Sequence, residues 1–311
     1  MDRVTAVMLL GGLRHSALEA DAGLRPACLP LDASTSLLGT WVGLLARAGC
    51  EALRVITSGG AGDDDIDREV DTARARHPSM TITRAVEGSS HRGTGGLLRD
   101  AAADLTLDDF VLYVEPHCAP PAALEPLVDA GRRAPMAVGV GANDAPAGSC
   151  LVKVELLEHA PRIGYHDFKE QFIPLMVTKG VRIVPVPLDS TGLRVHDLRR
   201  YLASVSSHLA RGRRGAEPSI HPGADVHPTA RIDGGSIIAA DAHVGAHAIV
   251  HDSVVLANAA VGERSVVARS LVPRGFRVAP RSLTVDRVLD KETSDAADEV
   301  LALGAPAGGS R

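Results

Sequence analysis

Aromatic residues make up only 3% of this 311-residue chain. Any core must therefore rest on Val, Leu, Ile and Ala, for which the hydrophobic content of 45% suffices. Cysteines are few: Cys28, Cys50, Cys118 and Cys150. No two share a C-x-x-C spacing, which argues against a zinc site or a redox motif and makes a reducing compartment the simplest context. Long apolar runs are missing too. The longest near the N-terminus, Val4–Leu10, is too short for a signal or membrane segment. The chain reads as soluble and cytoplasmic. It also lacks excess positive charge: the formal net charge is -5 and the pI is near 6.2, which argues against a nucleic-acid partner. The one basic cluster, Arg211–Arg214, sits among glycines and reads as a solvated linker.

What is present divides into two halves. From Val4 to about Ser204, apolar strand-like runs alternate with helical ones. Strands are expected at Val4–Leu10, Ala52–Thr57, Met80–Ala85, Phe110–Val114, Ala137–Val140, Leu151–Val154 and Arg182–Val186. Helices are expected at Ser36–Ala48, Ile66–Arg76, Gly96–Leu105 and Lys169–Lys179, with Gly49 ending the first of these. This alternation predicts an α/β, Rossmann-like domain with a mostly parallel sheet. Ligands of such sheets bind beyond the carboxyl ends of the strands, where Gly11, Gly12 and Glu115 fall.

After Pro218 the period changes to six. Ile220, Val226, Ile232, Ile238, Val244 and Val250 recur in step, and after a one-residue slip Val255, Val261 and Val267 follow. Small residues stand four places after most of them: Ala224, Ala230, Ser236, Ala242, Ala248, Ala259 and Ser265. Neither a helix nor an ordinary strand has this period. It marks a hexapeptide solenoid, here a short left-handed parallel β-helix of roughly three coils, counting about eighteen residues to a coil. The expected divisions are an α/β domain over 1–205, a linker over 206–218, the solenoid over 219–290 and a tail over 291–311 whose end is disordered. "VDRVLD", within Arg277–Asp290, is expected to form a short capping helix.

Four stretches resemble the sugar nucleotidylyltransferase family, which includes ADP-glucose pyrophosphorylases and mannose-1-phosphate guanylyltransferases. They are "AVMLLGG" with Gly11 and Gly12; "LRPACLPL" with the helix and strand after it; "RGTGGLLRDAA" with Gly93, Thr94, Gly95 and Gly96; and "HDFKEQFIP" from His166 to Pro174. The resemblance implies an enzyme that joins a nucleoside triphosphate to a sugar 1-phosphate, forms an NDP-sugar and releases pyrophosphate with Mg²⁺. It implies a nucleotide site at Gly11, Gly12, Gly93, Thr94 and Gly95. Arg14 and Arg25 would act on the phosphates, Lys169 on the sugar phosphate, and Glu115 and Asp189 on the metal.

The departures are specific. The first loop is cut to Gly11-Gly12-Leu13-Arg14, and Ala6–Leu31 has no lysine: Ala27 follows Pro26 where the family has one. The family's metal aspartate gives way to Glu115, with His117 two places on. Each candidate also has a plainer reading. The glycines can serve tight turns, and Arg14, Arg25, Lys153 and Lys169 can be solvated surface residues. A catalytically silent regulatory or scaffold homologue is therefore the alternative to an enzyme. More distant is a hexapeptide acyltransferase with His243 or His247 as base. His251 falls eighteen residues after Asp233, so the two are expected to stack, whereas His221 and His227 fall on adjacent faces. The solenoid is expected to build a homo-oligomer.

Overall fold

The computed structural model describes residues 3–10, 16–60, 62–88, 91–211 and 214–289. The chain divides into two compact units: 1–15, 25–29 and 35–195 in the first, 16–24, 30–34 and 196 onward in the second. Among the described residues, no helix is long and apolar enough to cross a membrane.

The first unit is built on seven strands: β1 (Val4–Leu9), β2 (Ala52–Thr57), β3 (Thr81–Val86), β4 (Phe110–Val114), β5 (Met136–Val140), β6 (Pro146–Lys153) and β7 (Ile183–Pro187). They lie in the order β3-β2-β1-β4-β6-β5-β7, and only β6 runs antiparallel to its neighbours. The chain leaves β1 for β2 on one side and returns to β4 on the other. That reversal puts a ligand crevice beyond the carboxyl ends of β1 and β4. All five residues of β4 are buried, as a strand covered on both faces requires. The helix Leu37–Arg47 starts where the Ser36 hydroxyl accepts from the Gly39 N–H at 3.0 Å, and it buries Trp41, Val42, Leu44 and Leu45. Gly49 ends it at φ +84°.

Three helical expectations shift. One helix begins at Asp63, ahead of Ile66, with three aspartates in the first turn favoured by the helix dipole. Another occupies Gly93–Ala101 instead of Gly96–Leu105. The segment expected as the helix Lys169–Lys179 is a wide turn, Phe168–Phe172, followed by a helix Ile173–Thr178.

The second unit contains the helices Ala17–Ala22 and Leu198–Leu209 and a β-helix. Asp197 caps the longer helix, which runs past residue 206, the expected start of the linker. Tyr201 is fully buried on it, and its hydroxyl donates to Pro30 O at 2.7 Å. Twelve short strands, β8 (Ser219–Ile220) to β19 (Leu283–Val285), stack into three four-stranded parallel sheets, one per face of a left-handed β-helix.

The inward positions are those the hexads mark. Ile238, Val244, Val250, Val255, Val261 and Val267 form one buried core with Ala242, Ala248 and Ala259. Ile220, on the first coil, is 43% exposed because it has a partner on one side only. The slip recurs: Ile220 faces Ile238, but Ile238 faces Val255 and Val255 faces Val272. Each later coil thus drops one residue at one corner. Serines line that corner, with Ser253 N–H donating to Ser236 Oγ at 3.3 Å and Ser270 N–H to Ser253 Oγ at 3.0 Å.

Two expectations are corrected here. There are four strands per face, hence four coils instead of three. "VDRVLD" does not form a capping helix over its described part. Val285 ends a strand, Val288 pairs with Leu271, and Leu289 is buried in the solenoid core. Local helix preference yields to the coil period, which places those side chains inward. Asp290 and residues 291–311 lie outside the described residues.

Candidate functional site

Glu115 directly follows β4 and is only 3% exposed. Its amide donates to Gly148 O at 2.7 Å. Gly148 has φ +69°, and a Cβ there would come within 2.6 Å of the Cys118 Cβ. The glycine thus admits the turn that carries Cys118. That turn is fastened from three sides: Cys118 N–H to Glu115 O at 3.0 Å, Val195 N–H to His117 O at 2.7 Å, and the buried Trp41 indole N–H to Cys118 O at 3.0 Å.

Two cations converge on the carboxylate. Lys169 Nζ pairs with Oε1, and Arg194 Nη2 lies 3.2 Å from Oε2. His117 Nε2 is 3.4 Å and Cys118 Sγ 3.6 Å from the same Oε2. Burial alone would raise the Glu115 pKa. The His117 imidazole and the Lys169 ammonium beside it outweigh burial and hold the carboxyl at about 2. Burial, reinforced by the Glu115 charge, pushes the Cys118 thiol up to about 12. A thiol so rarely ionised is no nucleophile.

Lys169 reaches Glu115 through the glycine–threonine turn. Gly95 and Gly96 N–H both donate to His166 O, at 2.8 and 3.2 Å. A Cβ on Gly93, at φ +68°, would stand 2.7 Å from that same oxygen. Thr94 Oγ1 donates to Asp167 Oδ2 at 3.1 Å and accepts from Phe168 N–H at 2.9 Å. Asp167 then caps the wide turn by accepting from Lys169 and Glu170 N–H, at 2.7 and 2.8 Å. Phe168 packs edge-on against Tyr113 of β4, with ring centroids 5.6 Å apart. Gly93, Thr94 and Gly95 thus serve as the seat of the segment that presents Lys169.

The remaining candidates are elsewhere. Arg25 pairs with Asp63 at 3.0 Å and donates to Leu10 O at 3.3 Å, at the carboxyl end of β1. Its charge is therefore already matched, and Asp63 also pairs with Arg84. Asp189 is exposed and lies outside the Glu115 group. Lys153 pairs with Asp108 at 2.9 Å. Gly11, Gly12 and Arg14 lie outside the described residues. In the solenoid, His251 stacks on Asp233 in register, and His243 Nδ1 lies 2.8 Å from Asp225 Oδ2, both on exposed faces. Sequence reasoning missed Arg194, which an antiparallel bridge to Cys118 carries in from the segment after β7. No motif marks it. It also missed Cys118, which directly follows the noted His117.

The residues at Glu115 do not suit Mg²⁺. That ion wants oxygen ligands in an octahedral shell. Among the described residues, the donor group here is one carboxylate, one imidazole and one thiol, so only one of the three offers the oxygen that ion takes.

Residues 216–301 match the family model of the GMPPB C-terminal domain, that of mannose-1-phosphate guanylyltransferase beta. No curated protein matches the chain. The solenoid is therefore similar to one that a sugar nucleotidylyltransferase carries at its C-terminal end.

Proposed function

We propose that the chain is a sugar nucleotidylyltransferase-like protein that takes a nucleoside triphosphate and a sugar 1-phosphate and, as an enzyme, forms an NDP-sugar and pyrophosphate. The match of residues 216–301 to the GMPPB C-terminal domain carries this reading. An α/β unit with charged side chains at the end of β4 is compatible with it. In such a reaction a phosphate oxygen displaces pyrophosphate in line, and positioning with charge neutralisation supplies most of the rate. Lys169 and Arg194 fit that role: both heads are partly exposed, and Glu115 holds both. The triphosphate contacts are assigned to Gly11, Gly12 and Arg14 from sequence alone, through backbone N–H groups and one guanidinium. A homo-oligomer joined through the β-helix and a cytoplasmic location complete the proposal.

The test is pyrophosphate release from a panel of nucleoside triphosphates and sugar 1-phosphates, with and without divalent cations. Release that falls in Lys169→Ala and Arg14→Ala supports an enzyme. A second reading, a silent regulatory homologue, is favoured by the donor group at Glu115, which has one carboxylate only among the described residues. It predicts nucleotide or NDP-sugar binding in calorimetry without pyrophosphate release. Neither release nor binding would end both readings.

A further inference from the structure

Glu115, His117 and Cys118 bring three different donor atoms to one buried turn. Glu115 Oε2 lies 3.4 Å from His117 Nε2 and 3.6 Å from Cys118 Sγ. A tetrahedral zinc ion with ordinary bond lengths holds oxygen and nitrogen ligands about 3.4 Å apart, and oxygen and sulfur ligands about 3.6 Å apart. One donor atom from each residue lies within 4.8 Å of the other two. Both ring nitrogens of His117 are buried and make no hydrogen bond among the described residues. Nε2 has only its 3.4 Å contact with Glu115 Oε2, and a buried ring nitrogen held no closer than that has room for a better partner.

We propose that Glu115, His117 and Cys118 form a binding site for Zn²⁺, a borderline-soft cation suited to mixed oxygen, nitrogen and sulfur donors. The fourth position is left for water or a ligand. The cysteine spacings gave no sign of it, because only one thiol takes part and the other donors come from the same turn. On binding, the Cys118 thiol loses its proton to solvent as the sulfur–metal bond forms, and no electron is transferred. Arg194 occupies the side of Oε2 that the ion needs. Its side chain is half exposed, and metal binding would displace it from that oxygen. Lys169 contacts the other oxygen, Oε1, and can stay to orient the carboxylate. The backbone bonds that fasten the turn hold the donors before any metal arrives. This site stands apart from the nucleotide reading, since its test contains no nucleotide.

The experiment titrates the full, metal-free chain near neutral pH with Co²⁺ and then Zn²⁺, against a background of Mg²⁺. The expected result is one tight cobalt equivalent with a near-ultraviolet sulfur-to-cobalt band and strong visible bands, lost on adding one zinc equivalent and unaffected by magnesium. Cys118→Ser removes the sulfur band, and both it and His117→Gln weaken zinc binding by roughly tenfold or more. Arg194→Gln tightens it by freeing Oε2. Emission from Trp41, the only tryptophan and a hydrogen-bond donor to this turn, checks that each variant is folded. The proposal is overturned if no sulfur–cobalt band forms. It is equally overturned if a folded Cys118→Ser or His117→Gln binds zinc as the wild type does, as binding at the exposed His–Asp pairs of the solenoid would give. Weaker binding in Arg194→Gln also counts against it.

Discussion

Replacing Val244 with aspartate puts a carboxylate into the apolar centre of the β-helix. Val244 has no solvent exposure and stands in register between Val226 and Val261 on the coils either side. Aspartate is no larger than valine, so the perturbation is one of polarity. Burying a valine side chain contributes about 1.5–3 kcal/mol, and an uncompensated polar or charged group there adds its own penalty, for a total of about 3–5 kcal/mol. A small domain loses roughly 4–8 °C of melting temperature per kcal/mol. The solenoid transition should therefore fall by roughly 12–40 °C. The damage spreads because a coil is stabilised only by its neighbours, so losing the second uncouples the first from the third. His243 is the control. It is the adjacent residue, points outward and shares an exposed pair with Asp225. Exposed pairs contribute about 0–1 kcal/mol, so His243→Ala should shift the melt by a few degrees at most. Calorimetry of the full chain separates the transitions of the two units. Equal shifts, or a larger one in His243→Ala, would refute the claim that the inward hexad positions hold the solenoid.

Three further outcomes follow from particular residues. Asp32 would have its pKa raised by burial, but the His208 imidazole 3.6 Å away and hydrogen bonds from Ser34 hold it at about 2, below the ordinary 3.8. That difference stabilises the fold above pH 4, by about 1 kcal/mol once solvent screening of this partly exposed group is allowed for, and is lost as the pH falls through 2, so Asp32→Asn should flatten acid unfolding between about pH 4 and 2; an unchanged acid limb would contradict this. Gly93→Ala should destabilise more than Gly164→Ala in denaturant titrations, because both have positive φ but only Gly93 would drive a Cβ into a backbone oxygen, at 2.7 Å; equal costs would mean the His166 segment gives way. Assembly through the β-helix predicts a mass above one chain in light scattering, reduced by Leu283→Glu at an outward position that is 72% exposed, and a monomeric wild type would remove that proposal.

The strands were readable because buried parallel strands leave continuous apolar runs, and Phe110–Val114 and Ala52–Thr57 end where their sequence patterns end. The solenoid phase was readable because a narrow apolar interior admits few side chains. Its length was not. Inward positions on the last coil include Thr284, which breaks the aliphatic series, and "VDRVLD" has local helix preference. The short helices Ala17–Ala22 and Glu125–Ala130 left no sign because six residues span too few turns to show a period. Leu198–Leu209 was missed although Asp197 caps it, since polar residues fill most of its surface and only Tyr201, Ser204 and Val205 are buried.

The site was legible only where its residues are neighbours in the chain. Glu115 was found because it ends an apolar strand, and Gly93–Gly95 because glycines beside a threonine are conspicuous. What joins them was hidden. The glycines leave room for the backbone at His166, Thr94 fixes Asp167, and Asp167 sets the turn that aims Lys169 at Glu115. Arg194 comes from another segment, held by a backbone bridge that no side-chain motif records. A carboxylate at a strand end reads from position as a free ligand for a hard cation. Here two side chains from distant segments already match its charge, and the donors left beside it are an imidazole and a thiol. What the site can bind is therefore decided by long-range pairing, and Glu115 has to be weighed together with Lys169, Arg194, His117 and Cys118.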